Sequence, residues 1–125
     1  MDIIGIGIDI AEVDRIKEAI SKHTHFLKRV YSDQEVRLSN RGSFRFEELA
    51  GRFAAKEAIF KAIKTGWRRG VKFTDITVLT EPSGAPYAML AGTTKTIADS
   101  LGVKSVFISI SHTKNLAIAM AVVTT

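Results

Sequence analysis

The chain has no cysteine among its 125 residues. That excludes a disulfide framework, a thiolate metal site and a cysteine nucleophile. Histidine is scarce as well, at three, so any metal centre falls to carboxylate oxygens rather than to sulfur or imidazole donors. No long apolar run develops either. The first residues alternate like a strand, carry no basic leader and reach Asp9 early, so neither a signal peptide nor a membrane span is expected. These absences fit a reducing compartment, and the cytoplasm is the expected location. Repeats, low-complexity tracts and interdomain linkers are also missing. With 46% hydrophobic and 25% charged residues, the sequence predicts one globular domain over residues 1–125, long enough to bury a core.

Acidic residues are the minority, and the imbalance is local. Residues 1–72 hold 15 Lys/Arg against 10 Asp/Glu, and residues 73–125 hold three of each, so the whole net charge of +5 sits in the first part. A basic surface of that kind suits nucleic acid, an acidic protein or a phosphate-rich ligand, and it is equally compatible with a solvated face that has no specific partner.

The hydrophobic pattern predicts a mixed order of elements. Residues 2–10 alternate, with Ile4, Ile6, Ile8 and Ile10 on one face and Ile3, Gly5, Gly7 and Asp9 on the other. Val13, Ile16 and Ile20 continue at helical spacing to about residue 21, and a short helical turn follows near 25–30. Ser32 with Glu35 forms a capping-box pattern that starts another short helix. A long helix is predicted from about Phe46 to Lys64, closed by Thr65-Gly66 as a glycine cap. Strands at about 73–80 and 86–91 flank the turn Glu81-Pro82-Ser83-Gly84-Ala85. A helix over Thr93–Leu101 precedes strands at about 104–112 and 116–123. Two hairpins with helices gathered in the first half predict an α+β domain, an antiparallel sheet packed with one long central helix and shorter ones. Gly5-Ile6-Gly7 lacks the third glycine and the placement of a dinucleotide fingerprint, so a Rossmann fold is rejected.

The long helix carries the chemistry. In Gly51-Arg52-Phe53-Ala54-Ala55-Lys56-Glu57-Ala58-Ile59-Phe60-Lys61-Ala62 the surface is apolar nearly all round, yet four charges lie within it. Buried charges are costly unless paired or bound to an ion. Glu57 and Lys61 share one side; they read either as an ordinary i,i+4 pair or as parts of a site. Asp9 ends its strand on the glycine face, where it either caps the next helix or faces an approaching helix or ligand. If Asp9 and Glu57 converge, two carboxylates suit Mg²⁺, whose shell is completed by water and substrate phosphates. Lys56, Lys61 and Arg52 would then neutralise phosphate, as in assisted phosphoryl transfer. Ser109-Ile110-Ser111-His112-Thr113 at a strand end is able to donate to a phosphate, although a lone strand-end histidine is also a common structural hydrogen-bonding residue.

These three segments together, Gly5-Ile6-Gly7-Ile8-Asp9-Ile10, Gly51 to Ala58 with Lys61, and Ser109 to Thr113, resemble the holo-acyl-carrier-protein synthases, the small bacterial class of 4′-phosphopantetheinyl transferase. Phe26 through Arg29-Val30 to Glu35, Phe73-Thr74-Asp75-Ile76 and Gly84-Ala85-Pro86 agree with it, so the resemblance spans almost the whole chain. It implies transfer of 4′-phosphopantetheine from coenzyme A to a serine of apo acyl carrier protein, releasing adenosine 3′,5′-bisphosphate. It implies Asp9 and Glu57 as Mg²⁺ ligands, with Glu57, Lys61 and His112 in catalytic positions. Arg52, Phe53, Lys56, Gly84, Pro86, Ser111, His112 and Thr113 would line the coenzyme A site. Glu57 or a metal-bound water is left as the general base. The acidic carrier accounts for the lopsided charge, with Arg15, Lys22, Lys28 and Arg29 as expected contacts. Family members resemble homotrimers with coenzyme A at the subunit interface. No nucleic acid or membrane partner is implied.

Two other classes compete. A nucleic-acid-binding module would need surface aromatics or a recognition helix, and the aromatics here fall at core-like spacing. A Mg²⁺-dependent nucleotide phosphohydrolase would use the same carboxylates with water as nucleophile. The basic loop Leu38–Phe44 matches no motif. Trp67-Arg68-Arg69 suits a packing tryptophan at a helix end, or a contact to adenine or the 3′-phosphate.

Overall fold

A helix made of small and apolar residues on every side belongs in the middle of a fold, and α4 (Phe46–Ala62) lies there: eleven of its 17 residues are buried. The computed structural model describes residues 1–65 and 70–125. Before α4 come β1 (Ile3–Glu12), α1 (Val13–Lys22), α2 (Phe26–Val30) and α3 (Asp33–Leu38). After it come β2 (Ile76–Thr80), β3 (Pro86–Leu90), α5 (Gly92–Ser100), β4 (Ser105–His112) and β5 (Leu116–Thr124). The strands form two antiparallel sheets, one in the order β1-β5-β4 and one a β2-β3 hairpin. The expected α+β class is therefore the observed one. Among the described residues no helix is long and apolar enough to cross a membrane.

The inner face of the three-stranded sheet packs on α4, and glycine sets how closely. A Cβ at Gly5 would lie 1.9 Å from the Ala62 carbonyl oxygen, and one at Gly7 would lie 1.8 Å from that of Ala58. No side chain fits there, so β1 rests directly on the helix backbone. The glycine face read from the sequence is thus a helix-packing face, with Asp9 at its far end.

The other face of the same sheet is bare. Register pairs Ile8 with Met120 and Ile10 with Ile118 on adjoining strands, and Phe107 stands on β4. Ile8 is 52% exposed, Ile10 62% and Phe107 53%. These side chains adjoin across the three strands as an exposed apolar face of the kind that marks a contact with another molecule.

Three local readings need correction. Asp9 caps nothing: β1 continues to Glu12, which is the N-cap of α1 without a side-chain bond. The long helix ends at Ala62, with Lys64 in the left-handed region at φ 62°; Gly66, assigned that role by sequence, lies outside the described residues. Phe73–Asp75 is a 3₁₀ turn rather than the start of a strand. There the Asp75 carboxylate accepts from the Lys72 and Thr94 amides and from the Thr94 hydroxyl. A short side-chain acceptor that satisfies nearby backbone donors competes with strand pairing.

Candidate functional site

β1 and α4 bring the carboxylate pair together. The Lys61 ammonium donates to Asp9 Oδ1 at 3.1 Å and to the Ile8 carbonyl at 2.9 Å. Glu57 sits one turn earlier on α4 and is half-buried. Burial pushes its carboxyl above the usual range; the Asp9 charge adds to that and Lys61 opposes it. Two neighbouring carboxylates, one of them bonded to an ammonium, form a hard oxygen site. Among the described residues no third His, Cys, Asp or Glu joins them. That donor set fits Mg²⁺, which takes one or two carboxylates and leaves its remaining positions to water and phosphate.

The second half of the expected site is elsewhere. Arg52, Gly84, Pro86 and His112 line a groove of about 300 Å³ with Glu48 and Ile110. This groove is at β4, whereas Asp9 is on β1, and β5 lies between them; two strand spacings are about 10 Å. Arg52 and Glu57 are five residues apart, which turns them about 140° from one another on the helix. Arg52 is also committed inward. Its Nε donates to the Val78 carbonyl at 3.0 Å and its Nη1 to Ser39 Oγ at 2.9 Å. Gly84 sits in the hairpin turn with φ 93°, a conformation glycine adopts without strain.

The Ser-Ile-Ser-His-Thr segment does not act as one unit. Strand alternation turns Ser111 to the bare outer face and His112 to the groove. Thr113 Oγ1 accepts from the amides of Asn115 and Leu116, so its oxygen shapes the β4–β5 turn.

Lys56 departs furthest from expectation. It is fully buried, and its Nζ donates to Glu35 Oε1 at 2.8 Å, to the Val30 carbonyl at 2.5 Å and to the Phe73 carbonyl at 3.3 Å. Burial pushes the ammonium below the ordinary lysine range, while Glu35 draws it back up. All three donors are used inside the fold, out of reach of phosphate at the surface. Trp67-Arg68-Arg69 lies outside the described residues.

The basic residues of the first part border an open surface. Arg15, Phe26 and Phe53 line a groove of about 660 Å³ between α1 and α4. Lys22 and Arg29 border an adjoining hollow, and Lys28 with Arg29 borders a third beside Phe73. Arg15 has a 3.8 Å ion pair with Glu12, highly exposed on both sides and therefore weak. Among the described residues Lys28 and Arg29 make no ion pair. Phe53, expected beside coenzyme A, lines the Arg15 groove and also lies near Phe26 and Phe73, with ring centroids 6.3 and 5.2 Å away.

Sequence reasoning missed Glu35. Its capping-box role holds, because it accepts from the Ser32 amide and its own amide donates to Ser32 Oγ. The same carboxylate also takes Lys56 and the Val78 amide. An unpartnered lysine in an apolar helix signals that a buried acid exists, without saying which one.

Residues 5–121 match the 4′-phosphopantetheinyl transferase superfamily. The chain is 45% identical over 118 residues to the holo-[acyl-carrier-protein] synthase of Solibacter usitatus, covering 94% of each. It is 47% identical to that of Alkaliphilus oremlandii, covering 94% of this chain and 96% of the relative. Among solved structures it superposes on the Helicobacter pylori holo-[acyl-carrier-protein] synthase in complex with coenzyme A, with a TM-score of 0.83, 35% identity, and coverage of 95% and 99%. The Neisseria meningitidis structure gives a TM-score of 0.87 at 29% identity, with coverage of 99% and 100%.

Proposed function

This chain belongs to the 4′-phosphopantetheinyl transferase superfamily, and from that premise we propose that it moves 4′-phosphopantetheine from coenzyme A to a serine of apo acyl carrier protein. The observation that carries the reading is the meeting of Asp9, Glu57 and Lys61 at the edge of β1. Asp9 and Glu57 would hold Mg²⁺, and a bound Mg²⁺ supplies charge neutralisation for the diphosphate and polarises the phosphorus under attack. Lys61 is already oriented by Asp9 and the Ile8 carbonyl, and places its ammonium where negative charge grows on the leaving bisphosphate. Adenosine 3′,5′-bisphosphate is the product that remains.

The assembly follows from where the two halves lie. The carboxylates stand at one edge of the sheet and the Arg52–His112 groove at the other. A coenzyme A molecule that uses both halves binds between two copies. The bare outer face with Ile8, Ile10 and Phe107 supports that contact, and a homotrimer closes it without leaving an open edge. Residues 1–125 act as one transferase domain within it, and the basic surface at Arg15, Lys22, Lys28 and Arg29 receives the acidic carrier. That surface is assigned to protein rather than nucleic acid.

The test is intact-mass analysis of a serine-bearing apo acyl carrier protein after incubation with this protein, coenzyme A and Mg²⁺. A gain of one phosphopantetheine, abolished by chelation, is expected. Release of bisphosphate from coenzyme A without carrier modification would favour the phosphohydrolase instead.

A further inference from the structure

The Lys56–Glu35 pair takes no part in that chemistry, yet both side chains have no exposure at all. Stability alone does not account for it, because buried ion pairs are often replaced by well-packed apolar residues at no cost. What an apolar pair lacks is direction. The Lys56 ammonium joins α4 to the end of α2 at Val30, to α3 through Glu35 and to the 3₁₀ turn at Phe73. Glu35 Oε2 extends the network to β2 through the Val78 amide at 2.9 Å.

Of these elements α2 depends on the network most. A five-residue helix has no stability of its own in water. Its last carbonyl, an orphan acceptor at a helix end, is satisfied by Lys56. Tyr31 directly after it is held by a 2.6 Å bond from its hydroxyl to the Leu49 carbonyl, and its ring lies 5.5 Å from the Lys56 nitrogen. The outward side of α2 presents Lys28 and Arg29, and Phe26 at its start forms a wall of the Arg15 groove.

We propose that Lys56 is a positioning residue for carrier recognition: its bond to the Val30 carbonyl fixes α2 so that Phe26, Lys28 and Arg29 present one surface to the acidic carrier. The inference rests on the transferase reading given above. Lys56 acts from inside the fold, fully buried and with its donors taken by Val30, Glu35 and Phe73.

The experiment varies carrier and coenzyme A separately in steady-state transfer by the full chain, for Lys56→Met and for the neutral double variant Glu35→Gln/Lys56→Met. The glutamine side chain of the double variant keeps an acceptor for the Ser32 or Val78 amide. The KM for carrier should rise about tenfold, the size of effect reached when packed coupling elements are loosened, with the KM for coenzyme A and kcat little changed. Amide exchange of residues 26–31, measured without substrate, should speed up relative to that of α4. A parallel rise in the KM for coenzyme A would overturn the proposal, as would an unchanged carrier KM in the double variant. If neither variant folds, the pair is a folding element and the positioning role is lost. If the wild-type protein transfers nothing to any carrier, the functional reading has failed, and the exchange rates still decide whether Lys56 holds α2.

Discussion

At the scale of single residues the proposed chemistry rests on Asp9 and Glu57. Removing either leaves one carboxylate to hold a doubly charged ion beside a diphosphate. Asp9→Ala and Glu57→Ala should each lower kcat at least about a hundredfold, equivalent to roughly 3 kcal/mol of lost charge stabilisation. Extra coenzyme A should not restore the rate, and near-normal turnover by either variant would remove the metal site. Glu57 adds a stability prediction. Its folded-state pKa is raised, so the folded protein carries a penalty that is full above that pKa and fades as pH falls towards the ordinary glutamate value. Without divalent cations, Glu57→Gln should therefore raise Tm at neutral pH. The gain should shrink as the solution is acidified, and Mg²⁺ should stabilise the wild-type protein more than the variant. A constant Tm difference across that range would exclude the penalty.

Elements were legible to different degrees. The alternation of residues 2–10 and the apolar α4 with its charges were open to reading because period and composition are local properties. The glycine face on β1 was visible, and the 1.8 Å approach to the Ala58 carbonyl explains it. Phe73-Thr74-Asp75 alternates like a strand, and only the fold shows that Asp75 turns back onto Lys72 and across to Thr94. Lys56 was misplaced for a similar reason. Its partners Glu35, Val30 and Phe73 lie 17 to 26 residues away, beyond any helical period. At this scale the decisive variant is Gly7→Ala. Its methyl has no room, so strand and helix must separate at a cost of about 3 kcal/mol; for a chain of this size Tm should fall by about 10 °C. A smaller fall in thermal denaturation would mean that β1 yields more easily than its seat on α4 implies.

For the whole molecule, charge and apolar surface divide the labour. Alternation told which residues share a strand face, and it could not tell that the Ile8 face has no partner among the described residues. Under the proposed homotrimer, Ile8→Lys should split the assembly into smaller species by light scattering, and activity should fall with it because the carboxylates would lose the neighbouring groove. A dimer-sized or trimer-sized particle that survives this change with full activity would place the interface elsewhere. The basic surface gives a second prediction. Arg15→Glu should raise the KM for carrier severalfold at low salt with little effect on coenzyme A, and the difference should narrow as salt screens the surface. Equal effects on both substrates would remove Arg15 from the docking surface.

If Asp9 and Glu57 hold the proposed ion, the seat of β1 on α4 would also act as a gauge of ionic radius. Asp9 hangs from the strand and Glu57 from the helix, so the spacing between those two backbones sets the gap their oxygens must span. Glycine at 5 and 7 holds that spacing at its minimum, which would favour a small ion bound at about 2.1 Å over Ca²⁺ at about 2.4 Å. Under the proposed metal site, cation choice would be written two residues and more upstream of Asp9, in side chains that are missing.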